Sequence, residues 1–247
     1  MKFFLTTLAC SAFLATSLSA DFGRIEMGAG VWQQSPESSI NASSAESKLV
    51  NLADGDYKSS EDASSEMYVW LLVKHPIPMI PNIRLEYVSV ADEGRTTGKI
   101  DGTSVTDALT AIDMQQFDII PYYNILDNTP WITLDVGLDI KAIKSDVSVT
   151  GAADSHERLV LPLLYVRTRV EIPATELGLE ADAKYVTYDG STVYDVRAKV
   201  DYTLDFLRVI QPAVEIGYRV QKIYIDRDDA VLDFKFSGIY AGLMLRF

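Results

Sequence analysis

Apolar and polar residues alternate with a period of two over most of this chain, which is typical of β-strands rather than of helices. In 131–143, the even-numbered positions from Ile132 onward are apolar, whereas the odd-numbered positions include Asp135 and Asp139. A tilted strand needs about 9–11 residues to cross the hydrocarbon core of a membrane. The uninterrupted alternation over 131–143 is long enough for such a crossing, so it predicts a transmembrane strand.

The same alternation recurs along the chain and predicts an all-β fold, a closed antiparallel up-and-down transmembrane β-barrel of about ten strands. An even number of strands returns both chain ends to the same side, as single-chain bacterial barrels require. The segments 67–75 and 83–91 alternate least clearly, and an eight-stranded barrel is the alternative if both are loops. The predicted strands are 25–31, 67–75, 83–91, 116–126, 131–143, 158–172, 177–188, 192–204, 213–222 and 236–247.

The connections between these strands alternate in character. Long loops outside and short turns in the periplasm are typical of outer-membrane barrels. The segment 34–66 is acidic and rich in serine, and it is predicted to be a loop without regular structure. The predicted outer loops are 37–66, 92–113, 145–156, 189–191 and 226–230, and the predicted inner turns are 75–82, 127–130, 173–176 and 205–212.

Alternation alone does not say which face of the barrel is apolar, because a soluble barrel hides its apolar face and a membrane barrel exposes it. Two features favour a membrane barrel. Aromatic residues stand near the ends of the apolar face, where interfacial girdles form; they are Tyr185 and Tyr194 at the outer ends and Tyr123, Tyr202 and Phe247 at the inner ends. Glycines fall on the charged face, where a narrow lumen needs small residues; they are Gly28, Gly30, Gly137, Gly217 and Gly242.

Acidic and basic residues are interleaved on the face that this orientation turns toward the lumen. Isolated charges inside a narrow barrel are costly, so we predict a salt-bridge network that fills the lumen. The alternative is a polar conduit for ions or small solutes. The predicted network consists of Asp135, Asp139, Lys141, Arg167, Arg169, Glu171, Glu180, Asp182, Lys184, Asp195, Arg197, Lys199, Asp201, Glu215 and Arg219.

The N-terminal segment 1–20 has a positive start at Lys2, an apolar stretch and small residues at its end, so it is predicted to be a secretory signal peptide. The barrel domain then covers 21–247. Removing 1–20 takes away Lys2 and no acid, which changes the formal net charge from −13 to −14. Such acidity argues against a nucleic-acid partner. Cys10 is the only cysteine, so the secreted chain has neither disulfides nor thiolate metal sites.

The last strand also carries a short motif, with Tyr240, Gly242, Leu245 and the terminal Phe247 in alternating-strand spacing. This motif resembles the C-terminal signature of Gram-negative outer-membrane β-barrels, and the chain resembles the small single-domain members of that group. The resemblance implies secretion to the cell outer membrane, contact with outer-membrane lipid, and insertion by the outer-membrane assembly machinery, which reads the terminal strand.

The function expected from these features is a structural or surface-interaction role for a monomeric barrel that is not an enzyme. A narrow channel or transporter for ions or small solutes is the alternative. A second alternative is a hydrolase at the outer rim that uses His156, which follows Asp154 and Ser155. His75, the other histidine, is expected in a turn. The spacing of acids, histidines and glycines predicts no cofactor or metal site.

Overall fold

The computed structural model describes residues 23–42, 52–77, 79–100, 102–129, 131–152, 154–204, 210–227 and 230–247. The predicted signal peptide at 1–20 lies outside the described residues, so the division into 1–20 and 21–247 stays a prediction. The described part of the chain is built from β-strands. They are β1 (Arg24–Ala42), β2 (Leu52–Ser59), β3 (Ser64–Lys74), β4 (Asn82–Ile100), β5 (Thr103–Thr129), β6 (Ile132–Val149), β7 (Ser155–Glu171), β8 (Leu177–Tyr188), β9 (Ser191–Thr203), β10 (Gln211–Arg227) and β11 (Ala230–Arg246).

Every neighbouring pair of strands is antiparallel, and the sheet closes because β11 pairs with β1. β2 and β3 follow one another between β1 and β4, so the barrel has ten strand positions although it has eleven strand segments. The break between them contains Glu61, whose φ of 63° lies in the left-handed region. The predicted ten-stranded barrel is confirmed. The eight-stranded alternative is wrong, because 67–75 and 83–91 contribute β3 and β4.

The strands extend further than the alternation predicts. The predicted loop 37–66 contains the end of β1, all of β2 and the start of β3. The predicted loops 92–113 and 145–156 are also largely strand, because β4 ends at Ile100 and β5 begins at Thr103. The interpretation of 34–66 as a loop without regular structure is therefore wrong for its described residues.

The strands extend beyond the predicted alternation because the polarity of their two faces changes along the barrel. One half of the barrel contains the start of β1 and the end of β11 and is here called the membrane half. Its outward side chains are apolar, and its inward side chains are mostly charged, small or aromatic. On β6, the outward face is apolar from Ile132 to Ala142. Its inward face in the same stretch carries Asp135, Asp139 and Lys141, each at most 1% exposed.

In the other half, here called the distal half, the pattern is reversed. On β6, Lys144, Asp146 and Ser148 face outward, whereas Ile143 and Val147 are buried inside. The same change of side occurs on the other long strands. The distal interior is an apolar core that includes Trp32, Ile40, Leu52, Val90, Ile100, Ile112, Met114, Val149, Val193, Ile223, Leu232, Phe234 and Phe236.

The outward apolar residues form a belt around the membrane half. Leu138, Leu164, Ile216 and Leu243 are each more than half exposed, at 53–68%. Contiguous apolar surface of this extent is unfavourable in water and favourable against acyl chains. The fold is therefore a transmembrane β-barrel whose distal half stands in water. No helix in the described part of the chain is long and apolar enough to span a membrane.

We expect Leu138→Arg to destabilise the barrel strongly and Ser148→Arg on the same outward face of β6 to have little effect. Leu138 lies in the belt, where an arginine costs about 2–4 kcal/mol near the bilayer midplane, whereas Ser148 faces water. Urea unfolding of the protein in lipid vesicles measures both changes. Equal losses of stability in the two variants would contradict the position of the polarity change.

Candidate functional site

The candidate site is the charged interior of the membrane half, here called the lumen network. The structure places all of the network residues predicted from the sequence on the inward face. All of them are buried except Glu171, whose side chain is 41% exposed. Five further charged residues belong to the same cluster and were missed: Glu26, Arg84, Glu86, Asp118 and Arg246.

Glu180 on β8 is surrounded by cations from other strands. Arg167 lies 2.7 Å from its carboxylate, and Arg84 lies 3.4 Å away. Arg169 and Lys199 complete the shell at 3.4 and 3.5 Å. Because these cations belong to β4, β7 and β9, one carboxylate connects four strands across the lumen.

Glu86 on β4 forms a second centre. Its oxygens accept hydrogen bonds from Arg84 and Lys184 at 2.5 Å and from Arg197 at 2.6 Å. Arg197 also binds Asp182 at 2.9 Å. Since β4 lies on the opposite side of the barrel from β8 and β9, these ion pairs cross the lumen and fill it.

A third group of ion pairs joins this centre to β5, β6 and β10. Lys141 lies 2.8 Å from Asp118, and Lys184 contacts the same carboxylate. Arg219 binds Asp195, and Lys141 lies 3.6 Å from that carboxylate. These ion pairs therefore link β4, β5, β6, β8, β9 and β10 in one network.

Aromatic side chains complete the packing of the lumen. Tyr68 Oη donates to Glu215 at 2.7 Å, and Trp70 Nε1 lies 3.2 Å from the same oxygen. The ammonium of Lys199 stands 4.5 Å from the centre of the Trp70 ring, which allows a cation–π interaction. A Cβ at Gly28 would lie 2.5 Å from Trp70 Nε1, so only glycine leaves room for this indole.

Asp139 and Glu26 differ from the other carboxylates of the network. Both are fully buried, yet neither carboxylate accepts a hydrogen bond from a described residue. Glu26 still has ion pairs with Arg246 and Arg167 at 3.3 and 3.9 Å. Among those residues, no group of three or more histidines, cysteines and acids is arranged to hold a metal ion.

Near the chain ends, the network continues to the mouth of the barrel. Arg246 lies 2.7 Å from Asp201, which Arg169 also binds at 2.7 Å. The terminal Phe247 pairs with Ile25 through its backbone. In the predicted assembly motif, Tyr240 and Gly242 face the lumen and Leu245 faces outward. Recognition of this motif by assembly machinery stays a prediction.

Buried polar residues also occur in the distal interior, and one cluster of them surrounds Asp92. Ser59 Oγ donates to Asp92 at 2.6 Å, and both residues are buried. Burial raises the pKa of Asp92, and hydrogen bonds from Ser59, Ser38 and Tyr57 oppose that shift.

The two histidines lie outside the barrel interior. His156 is on the outward face of β7, where its Nδ1 donates to Asp146 at 2.6 Å. The hydrogen bond from Lys144, and after it that from His156, lowers the pKa of Asp146. Ser155 faces the opposite side and is buried. His75 lies between β3 and β4, where its ring contacts the backbone of Pro81 and Ile77.

Comparison with solved structures shows the fold. The outer membrane protease OmpT from Escherichia coli superposes with a TM-score of 0.52 and 13% identity, covering 94% of this chain and 100% of the protease. The transport unit of the Escherichia coli autotransporter AIDA-I has a TM-score of 0.42 and 8% identity, covering 97% and 96%. The outer membrane protein AlkL has a TM-score of 0.38 and 12% identity, covering 94% of each chain.

No protein-family model and no curated protein matches the sequence. The similarity to OmpT lies in the architecture, and at this identity it shows the fold alone. The comparison therefore shows that the protein has the closed antiparallel β-barrel fold of OmpT.

We expect Arg197→Met to destabilise the barrel by about 3–5 kcal/mol, because it leaves the buried carboxylates of Glu86 and Asp182 short of a cation. Lys99→Met is the matched control, since it breaks an ion pair with Asp54 that is half exposed on the distal surface. Urea unfolding in vesicles compares the two variants. A stable Arg197→Met barrel would contradict the structural role of the lumen network.

Proposed function

We propose that this protein is a sealed, non-catalytic barrel of the Gram-negative outer membrane, with a structural or surface-interaction role. In this proposal, it reaches the membrane after cleavage of the signal peptide and is inserted as a monomer by the outer-membrane assembly machinery. The observation that carries the proposal is the closed packing of both halves of the interior.

The lumen side chains support a sealed barrel because they touch almost no space that water can enter. Lys141, Lys184 and Asp139 have no exposed surface, and Arg169 is 1% exposed. A conducting pore leaves its lining side chains in contact with water. The ion pairs described above also occupy the donors that a permeating solute would need.

The distal half adds a second closure. Trp32, Phe234 and Phe236 are at most 1% exposed and fill the interior above the network. A polar solute would have to pass an apolar core after passing a charged one. The two barriers differ in chemistry, so a single kind of solute does not suit both.

The length of the distal half supports a surface role. On β4, the polar outward face runs from Ser89 to Lys99. A strand rises roughly 3.3 Å per residue, so this stretch extends the wall by about 30 Å, or about 25 Å along the axis at a tilt of about 40°. The result is a tall wall that raises the outer turns above the membrane and is lower on the side of β8, which ends at Tyr188.

The channel alternative is tested by conductance. We expect the purified protein to give no conductance steps in planar bilayers, because both halves of its interior are packed. An open porin in the same bilayers serves as the positive control. Insertion is checked by the different gel mobility of boiled and unboiled protein, as expected for a kinetically stable barrel. Reproducible steps from inserted protein would overturn the sealed-barrel proposal.

The hydrolase alternative rests on the Asp146–His156 pair, because a carboxylate that orients an imidazole is a common arrangement in general-base catalysis. We expect no hydrolysis of lipid or peptide substrates by the wild-type protein. A hydrolytic activity that disappears in His156→Ala and persists in His75→Ala would establish the enzyme and contradict the proposal.

A further inference from the structure

Part of β7 has a neighbouring strand on one side only. β6 pairs with β7 from Ser155 to Val170, whereas β8 pairs with β7 only from Leu164 onward. β8 itself ends at Tyr188, so no described residue continues the wall beside 155–163. This stretch of nine residues is here called the open edge. An unpaired strand edge is a template for pairing with another chain.

Proline shows which way the backbone groups of the open edge point. Proline has no N–H, so a sheet tolerates it where that position faces away from a paired strand. Pro162 lies opposite Ile140 on β6, so its nitrogen points away from β6. Successive residues of an antiparallel strand direct their N–H and C=O groups to opposite sides. The backbone groups of His156, Arg158 and Val160 therefore also point toward the open edge.

These backbone groups repeat as they do along any β-strand. Three N–H and four C=O groups of 156–162 point to the open edge, and no described residue pairs with them. They recur at every second residue, or roughly every 6.6 Å along the strand. Another extended backbone has donors and acceptors at the same spacing, whereas an acyl chain has none. The hydrogen bonds that the open edge lacks therefore fit an added β-strand.

The inner side of the open edge leaves part of the distal core uncovered. Leu159 and Leu161 face inward and pack against the core, but they are only partly buried. Leu163, next to the start of the β8 pairing, is 1% exposed. Val186, near the end of β8, is also only partly buried. A strand placed beside β7 with apolar inward side chains would extend the core over these residues.

The outer side of the open edge carries a cation. Arg158 is exposed, and no described residue forms an ion pair with it. Its neighbour on β6 is Lys144, and the acids Asp146 and Asp113 lie farther away on β6 and β5. Opposite charges on directly facing residues of two strands attract. An acidic residue therefore fits the position opposite Arg158 on an added strand.

Most of the open edge is accessible from water. The last apolar outward pair on β6 and β7 is Ala142 with Val160, and the next outward pair is Lys144 with Arg158. The residues before Val160 therefore belong to the distal half. A polypeptide outside the membrane can reach them without entering the hydrocarbon core.

The rest of this chain is placed poorly for covering the open edge. Residues 1–22 precede β1 and residues 205–209 join β9 to β10, both at the end of the membrane half. The nine residues 43–51 join β1 to β2, across the barrel from β7. Nine residues span at most about 32 Å, which lying along the open edge alone would use. Every other segment outside the described residues has one or two residues.

A second copy of this chain in the same membrane does not fit either. Antiparallel pairing of two open edges needs a two-fold axis perpendicular to the wall, which would turn one barrel upside down. Rotation about the membrane normal keeps both barrels upright. It makes the two strands cross at about 80°, however, because each is tilted by about 40°. Strands that cross so steeply cannot form a ladder of hydrogen bonds.

We propose that the open edge of β7 binds an extended segment of another protein as an added antiparallel β-strand. In this mode of recognition, main-chain hydrogen bonds give affinity and alternate side chains give specificity. The segment has apolar residues at alternate positions, which pack on Leu159 and Leu161, and an acidic residue opposite Arg158. The inference rests on the surface-interaction role proposed above and names its surface and its kind of partner.

The first measurement is amide hydrogen exchange of the full barrel in detergent micelles, followed by NMR. In the free protein, we expect the amides of Arg158 and Val160 to exchange rapidly. Those of Leu159 and Leu161 should exchange slowly, because they point toward β6. Slow exchange at Arg158 and Val160 in the free protein would overturn the proposal, since this chain or a second copy would then cover the edge.

The second measurement adds a capped peptide as long as the open edge, with valine at alternate positions, threonine between them and one glutamate opposite Arg158. We expect it to slow exchange at Arg158 and Val160. N-methylation of the threonines and the glutamate, whose N–H groups face β7, should weaken binding roughly 30-fold or more. N-methylation of the valines, whose N–H groups face away, is the matched control. Equal binding of the two methylated peptides, or no binding of the parent peptide, would overturn strand addition.

A pair of variants tests the same edge from the side of the barrel. Val160→Pro removes one donor from the open edge and leaves the pairing with β6, as the native Pro162 does. It should weaken peptide binding roughly fivefold, whereas Val160→Ala keeps the N–H and should bind like the wild type. The gel mobility of unboiled protein checks that both variants are folded. Equal binding by the two folded variants would contradict the proposal.

A charge exchange gives a readout that does not need a proline. Arg158→Glu should bind the peptide with lysine in place of glutamate better than the parent peptide, and the wild type should show the opposite preference. An unchanged preference in Arg158→Glu would contradict the register of the added strand. Failure of these binding tests leaves the sealed barrel and its expected lack of conductance intact, because the open edge is separate from the lumen network.

Discussion

The medium outside this barrel changes from acyl chains to water partway along every long strand, and the rest of the structure follows from that change. Successive side chains of a strand point to opposite faces. The apolar side chains must therefore lie on one face beside lipid and on the other beside water. The interior must change in the opposite sense, from ion pairs to an apolar core.

The two interiors are held by different forces. In the membrane half, charges are taken out of water, so each must find opposite charges with good geometry. Glu180 and Glu86 meet this requirement by gathering cations from several strands. In the distal half, Trp32 and Phe234 are buried by the hydrophobic effect, as in a soluble barrel. Along most of the wall, backbone groups pair with a neighbouring strand, whereas the part of β7 before Leu164 pairs only with β6.

The membrane half was predictable from the sequence, and the distal half was not. On β1, the apolar positions are odd up to Val31 and even from Trp32 to Ile40. A search for one apolar face therefore ends where the polarity reverses, and it assigns the continuing strand to a loop. Between these positions, Gln34, Pro36 and Ser38 point inward, so no clear alternation marks the new face.

The composition of the lumen network was also predictable in part. β6 to β10 carry several charges on one face, and their residues were recognised together. β1, β5 and β11 contribute isolated charges such as Glu26, Asp118 and Arg246, which a single-strand pattern does not distinguish from surface residues. The partners could not be deduced, because contacts such as Arg197 with Glu86 join residues that are far apart in sequence and on opposite walls.

The reversal of polarity also specifies how deep each long strand lies in the membrane. In a barrel with one polarity, sliding a strand by two residues keeps every side chain on its proper face, and only a slide by one residue exchanges the faces. Here, if β6 moved by two residues toward the membrane half, Lys144 would lie among acyl chains. If β6 moved by two residues in the opposite direction, Ala142 would lie in water. Vertical alignment is thereby encoded within each strand, independently of the turns that connect it to its neighbours.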